Sequence, residues 1–122
     1  IMLTGNKIPF INENIKMKDA LKELDLKKQG FLVVTNKNGL TKGVFTDGDL
    51  KRLMRKRDVI SNLKIKNFIT KNPFVVKSNT LATDILAQMN KRKITNVCVY
   101  SDKNRRKTIG IIHIHNLINL IK

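Results

Sequence analysis

Apolar residues in this chain alternate between short unbroken runs and runs spaced at helical intervals. Ile8-Pro9-Phe10-Ile11 is a short apolar run, and its proline marks it as an edge strand. Asn12-Glu13-Asn14 reads as a turn. Met17, Ala20, Leu21 and Leu24 then recur at helical spacing, with Lys, Asp and Glu on the other face. Gly30 stops that helix. Phe31-Leu32-Val33-Val34-Thr35 is continuous and β-prone, as a buried strand is. Asn36-Lys37-Asn38-Gly39 is a hairpin-like turn. Gly43-Val44-Phe45 is the next strand, and Leu50-Lys51-Arg52-Leu53-Met54 continues as a helix.

Residues 58–66 are polar and weakly periodic, which predicts a connector with a short helical turn around Leu63. The pattern then begins again. Phe74-Val75-Val76 is a strand after Asn72-Pro73. Asn79 or Thr80 is the expected cap of a helix carrying Leu81, Ile85, Leu86 and Met89 on one face. Val97-Cys98-Val99-Tyr100 is a buried strand and Ser101-Asp102-Lys103-Asn104 a turn. The basic run Arg105-Arg106-Lys107 follows. Ile109-Gly110-Ile111-Ile112 is the last strand, and Asn116 is expected to start a final helix.

The chain therefore holds an internal repeat of about 65 residues. Ile8-Pro9-Phe10-Ile11 answers Asn72-Pro73-Phe74-Val75, and Phe31 to Val34 answers Val97 to Tyr100. Gly43-Val44-Phe45-Thr46-Asp47-Gly48-Asp49-Leu50 answers Gly110-Ile111-Ile112-His113-Ile114-His115-Asn116-Leu117. The expected class is α/β. Two β-α-β-β-α repeats, residues 1–57 and 67–122 with residues 58–66 between them, are expected to dock about a pseudo-twofold axis. A cleft between paired halves is a natural ligand site.

Composition narrows this picture. At 122 residues a real core is possible, but each half alone is marginal. No apolar run approaches the roughly 18 residues of a membrane span. Cys98 is the only cysteine and lies in an apolar run, so it reads as a small hydrophobe in a reducing, cytoplasmic compartment. The opening Ile1-Met2 suggests a piece cut from a longer protein. The net charge of +16 raises nucleic acid as a partner. Against it, Lys and Arg are scattered through every segment, and aromatic residues make up only 5%, too few for stacking platforms.

Candidate chemistry gathers after the third strand of each repeat. Thr46 and Asp49 stand three apart at a strand-to-helix junction. There a hydroxyl, a carboxylate and free backbone N–H groups can face one polar ligand. Thr-x-x-Asp is equally a capping box, and the two roles can coexist. Asp47 is the second acid of that turn; a helix N-terminus is a commoner reason for acids than a metal. Lys51 and Arg52 are phosphate candidates or solvated surface. Lys93, Thr95 and Asn96 precede a core strand and are candidates for lining a site, with Lys93 a further phosphate candidate. His113 and His115, at i and i+2 of the expected strand, share a face as polar lining. No acidic or cysteine cluster accompanies them in sequence, so no metal is assigned.

These residues resemble the tandem cystathionine-β-synthase (CBS) domain pair, in which each copy ends in Gly-h-h-Thr-x-x-Asp. The resemblance covers essentially the whole chain. Ile1-Met2, Ile8-Pro9, Gly43 to Arg52, Lys91-Arg92-Lys93-Ile94-Thr95 and Gly110 to Leu117 look like the C-terminal CBS pair of sugar-phosphate isomerases of the arabinose-5-phosphate isomerase type. That resemblance implies a catalytically silent fragment whose N-terminal sugar-isomerase domain is missing. It implies a regulatory module that needs no cofactor. Its effector would be a nucleotide or nucleotide-sugar such as the CMP-activated octulosonate of lipopolysaccharide synthesis. It further implies self-association of CBS pairs. Carried onto this chain, Thr46 meets a ribose hydroxyl or phosphate and Asp49 accepts from the ribose diol. The second copy departs from the pattern, with His113 in place of Thr and Asn116 in place of Asp, which weakens diol binding there. Two alternatives follow: a dimerisation module whose ligand site has decayed, and non-specific nucleic-acid binding, which predicts a steep salt dependence.

Overall fold

The computed structural model describes residues 8–27 and 30–121; Ile1-Met2 lies outside them. It divides into two compact units, one over Pro9–Pro73 and one holding the chain from Phe74 onward. The first contains β1 (Phe10–Asn12), α1 (Met17–Lys27), β2 (Phe31–Thr35), β3 (Thr41–Thr46), α2 (Asp47–Lys56) and the short β4 (Thr70–Lys71). The second contains β5 (Val75–Lys77), α3 (Ala82–Arg92), β6 (Asn96–Ser101), β7 (Asn104–His113) and α4 (Ile114–Ile121). Each repeat is thus strand, helix, strand, strand, helix, with β4 added in the first unit, and the α/β class holds.

The repeat is written into the hydrogen-bond register. β1 runs parallel to β2 with Phe10 opposite Val33, and β5 runs parallel to β6 with Val75 opposite Cys98. The hairpins match as well. Phe31 faces Thr46 and Val34 faces Gly43; Asn96 faces His113 and Val99 faces Gly110. A bulge follows Val34 in one hairpin and Val99 in the other, so even the irregularity is repeated.

Each unit builds its own core between its sheet and its helices. In the first, Leu32, Val34 and Phe45 of the sheet meet Met17, Ala20 and Leu24 of α1 and Leu53 of α2. In the second, Val76, Val97, Val99 and Ile112 meet Ile85 and Met89 of α3 and Leu117 of α4. Phe31 to Val34 are all buried, the reason that run is unbroken rather than alternating. Cys98 is fully buried too. Burial pushes its thiol up to about 12, partly offset by a side-chain hydrogen bond with Thr108.

Four expectations shift. The helical turn in the connector lies at Ile65–Asn67 rather than around Leu63. There Ile65 is fully buried, and the carbonyls of Leu63 and Ser61 accept from the Met17 and Lys18 N–H groups that open α1. Neither Asn79 nor Thr80 caps α3. Leu81 takes that position without a side-chain bond, because the preceding turn is closed by Thr80 N–H donating to the Lys77 carbonyl. The last strand, expected from Ile109, starts at Asn104 and takes in the Arg105-Arg106-Lys107 run, held where Ser101 pairs with Asn104. The last helix starts at Ile114, not at Asn116.

β4 is absent from the expected elements and proves important. It adds to the free edge of β3 through only two pairs, Gly43 with Lys71 and Val44 with Thr70. A side chain at Gly43 would collide with the Thr70 backbone carbonyl, and would press on Ile69 Cδ1 at 3.0 Å. Gly43→Ala is therefore expected to displace β4 and cost about 1–3 kcal/mol. Urea unfolding measures the cost, and amide exchange at Thr70 and Lys71 shows the displacement. Unchanged protection of those two amides would show that β4 does not rest on this close approach.

Candidate functional site

The β3–α2 junction places Thr46 at the end of a buried strand and Asp49 in the first turn of a helix. The Asp49 N–H donates to Thr46 Oγ1 at 3.1 Å, and the Thr46 N–H donates to Asp49 Oδ2 at 2.9 Å. This is a complete capping box. The Thr46 hydroxyl also donates to Asp49 Oδ2 at 3.1 Å. Two more donors converge from outside the box. Arg52 Nη2 reaches Asp49 Oδ1 at 2.5 Å, and Thr70 Oγ1 reaches Oδ1 at 3.0 Å and Oδ2 at 3.2 Å. The carboxylate is nearly enclosed, with 9% of its side chain exposed, against 63% for Arg52.

Asp47 is turned elsewhere. Its N–H donates to the Gly30 carbonyl at 3.2 Å, and its carboxylate lies close over Gly30, whose φ of +65° suits a glycine. Its visible role is to fasten α2 to the start of β2. Lys51 is exposed on α2. Thr70 is the residue sequence reasoning missed; its signal was the β-prone Ile69-Thr70 pair just before Asn72-Pro73.

The second unit rebuilds the same junction with other groups. His113 ends β7, and its ring Nδ1 accepts from the His115 N–H at 3.1 Å. Asn116 Oδ1 accepts from the His113 N–H at 3.3 Å. A histidine and an asparagine thus imitate the box of Thr46 and Asp49. The two imidazoles do not share a strand face, since His115 already belongs to α4. They meet as a stack with centroids 4.8 Å apart. Asn96 is buried opposite His113, and its Nδ2 donates to Thr95 Oγ1 at 3.4 Å. Thr95 is exposed; its carbonyl accepts from the Ile114 N–H at 2.8 Å. Lys93 is the C-cap of α3 in the left-handed conformation, a backbone role. The sequence candidates thus fall into two groups. Thr46, Asp47, Asp49, Lys51 and Arg52 sit on the first unit; Lys93, Thr95, Asn96, His113, His115 and Asn116 sit on the second.

The His113 cap carries a pH dependence. Burial, and secondly the charge of His115, hold the His113 pKa below its ordinary value of 6.5. The neutral ring accepts through Nδ1, and protonation there removes the acceptor. The native state then binds fewer protons than the unfolded chain, so stability is complete above about pH 6.5 and declines as pH falls through the lowered value. His113→Asn keeps a cap without the titration and is expected to flatten the decline in urea midpoints between about pH 7.5 and pH 5. A His113 resonance titrating above 6.5 would reverse the sign.

The fold and these paired junctions define a class. The model of the CBS domain matches residues 1–56 and again residues 65–122, and the chain belongs to the CBS domain family. Among curated proteins, the arabinose 5-phosphate isomerase KdsD of Yersinia pestis is 34% identical over 118 residues. That alignment covers 97% of this chain but 35% of the relative, so the chain spans about a third of the relative's length. Among solved structures, the CBS domain pair of protein MJ0100, in complex with 5-methylthioadenosine and S-adenosyl-L-methionine, has a TM-score of 0.82 at 20% identity. It covers 99% of this chain and 95% of its own. CBSX2 in complex with AMP has a TM-score of 0.80 at 24% identity, covering 98% and 91%. At such identities the likeness is one of fold. No helix among the described residues is long and apolar enough to cross a membrane.

Proposed function

We propose that this CBS pair is a regulatory, ligand-sensing module of a sugar-phosphate isomerase of the arabinose-5-phosphate type. It binds a nucleotide or nucleotide-sugar, with a CMP-activated sugar acid as the pathway-specific candidate. Thr46 and Asp49 receive the ribose, and Arg52, Lys51 and Lys93 are the phosphate candidates. Thr95, Asn96, His113, His115 and Asn116 form the weaker counterpart on the second repeat. The module works in the cytoplasm as a self-associating pair attached to an isomerase domain. Binding biases that domain through differential affinity for two states.

One observation carries this reading. Thr46 and Asp49 fix a hydroxyl and a carboxylate together at a helix start, with an exposed guanidinium beside them. A thermal-shift series with AMP, S-adenosylmethionine, CMP and CMP-octulosonate tests it, with a short DNA as charge control. A saturable shift from one small nucleotide is expected. Equal shifts from every polyanion, abolished by salt, would replace it with charge alone. The basic side chains Arg92, Arg105 and Arg57 lie over Phe74, Tyr100 and Phe68, so three of the few aromatic rings are already engaged.

A second reading, a dimerisation module without a ligand, is favoured by a separate fact. The polar groups at both junctions are already engaged in capping. It predicts a stable dimer and no shift with any nucleotide.

A further inference from the structure

The Asp49 carboxylate is full. A carboxylate offers about four acceptor positions. Here it meets the Thr46 N–H, the Thr46 hydroxyl, the Thr70 hydroxyl shared between both oxygens, and Arg52. The Thr46 donors are tied to the backbone of the cap and stay. Arg52 and Thr70 are exposed side chains that can rotate away. A ligand presenting two adjacent hydroxyls to Asp49 must therefore displace them.

From this geometry we infer that Arg52 is a built-in competitor for the ligand's place on Asp49, and that it makes the site select ligands carrying both a diol and an anion. The inference rests on the ligand reading above. A neutral diol supplies the carboxylate with new donors but leaves the displaced guanidinium without its anionic partner, a poor substitution. A ligand bearing phosphate or carboxylate gives the displaced guanidinium a new partner, and Arg suits that geometry. The second junction offers the contrast. Asn119 follows Asn116 at the spacing by which Arg52 follows Asp49, so that position holds an amide instead of a cation.

The test compares AMP with adenosine, and CMP with cytidine, by calorimetry on the wild-type chain and on Arg52→Gln. Arg52 is the exposed partner, and without it Asp49 keeps its bonds from Thr46 and Thr70, so the variant stays folded. In the wild type each nucleotide is expected to bind at least about tenfold more tightly than its nucleoside. In Arg52→Gln the nucleoside gains severalfold, the nucleotide weakens, and the preference collapses. A preference unchanged by the substitution, or a nucleoside that weakens in Arg52→Gln, overturns the competitor while leaving the ligand site standing. A wild type that binds nucleoside and nucleotide equally does the same. Absence of binding by all four compounds to both proteins overturns the ligand site and the competitor together.

Discussion

Asp49→Asn is expected to fold nearly as well as the wild type yet bind nucleotide about 10- to 100-fold more weakly, whereas Asp49→Ala is less stable as well as weaker in binding. The molecule supplies the precedent for the first half. At the second junction an asparagine oxygen, Asn116 Oδ1, already accepts the His113 N–H in the place where Asp49 accepts Thr46. An amide can therefore serve the cap. Its single oxygen has two acceptor positions and the Thr46 N–H takes one, so it cannot accept from both hydroxyls of a diol. Alanine removes the acceptor for Thr46, Arg52 and Thr70 together, so a loss of about 1–2 kcal/mol is expected from the cap alone. Urea unfolding and calorimetry on the same two variants separate the effects. Equal binding by Asp49→Asn and wild type would remove Asp49 from the ligand site.

Phe45→Ala is expected to have the largest effect on stability, about 3–5 kcal/mol. Phe45 is fully buried and packs within the cluster that joins the first sheet to α1 and α2. It also immediately precedes Thr46 on β3, so the loss loosens the strand that carries the candidate site. A unit of this size has little stability to spare. The expected outcome is a first unit largely unfolded at 37 °C, with nucleotide binding lost as a consequence. Phe45→Leu keeps most of the volume and should cost less than half as much. A loss below about 1 kcal/mol for Phe45→Ala would mean that the core does not depend on this ring.

Much of this was readable from residue order. The repeat, the continuous strands Phe31 to Thr35 and Val97 to Tyr100, and the capping box at Thr46 and Asp49 all rest on local chemistry. What failed to show was set by partners distant in sequence. β4 is two residues long and exists because Gly43 lets the Thr70 carbonyl approach. That approach delivers Thr70 to Asp49. The apolar run Ile109 to Ile114 has no break to mark where strand becomes helix, and so His113 and His115 both read as strand. The bend falls at His113 because its ring caps the next turn. The basic start of β7 lacks apolar alternation, and only pairing with β6 makes it a strand.

The lone cysteine gives the molecule a timer. Burial pushes the Cys98 thiol up and so keeps it protonated and unreactive in the folded sheet. Fully buried in the middle strand of the second sheet, it meets a thiol reagent only when that sheet opens. No other cysteine in the chain contributes background. Labelling at Cys98 thus counts the openings of the second unit alone. A ligand that seats on Asp49, in the first unit, and slows that count has sent its signal across the repeat.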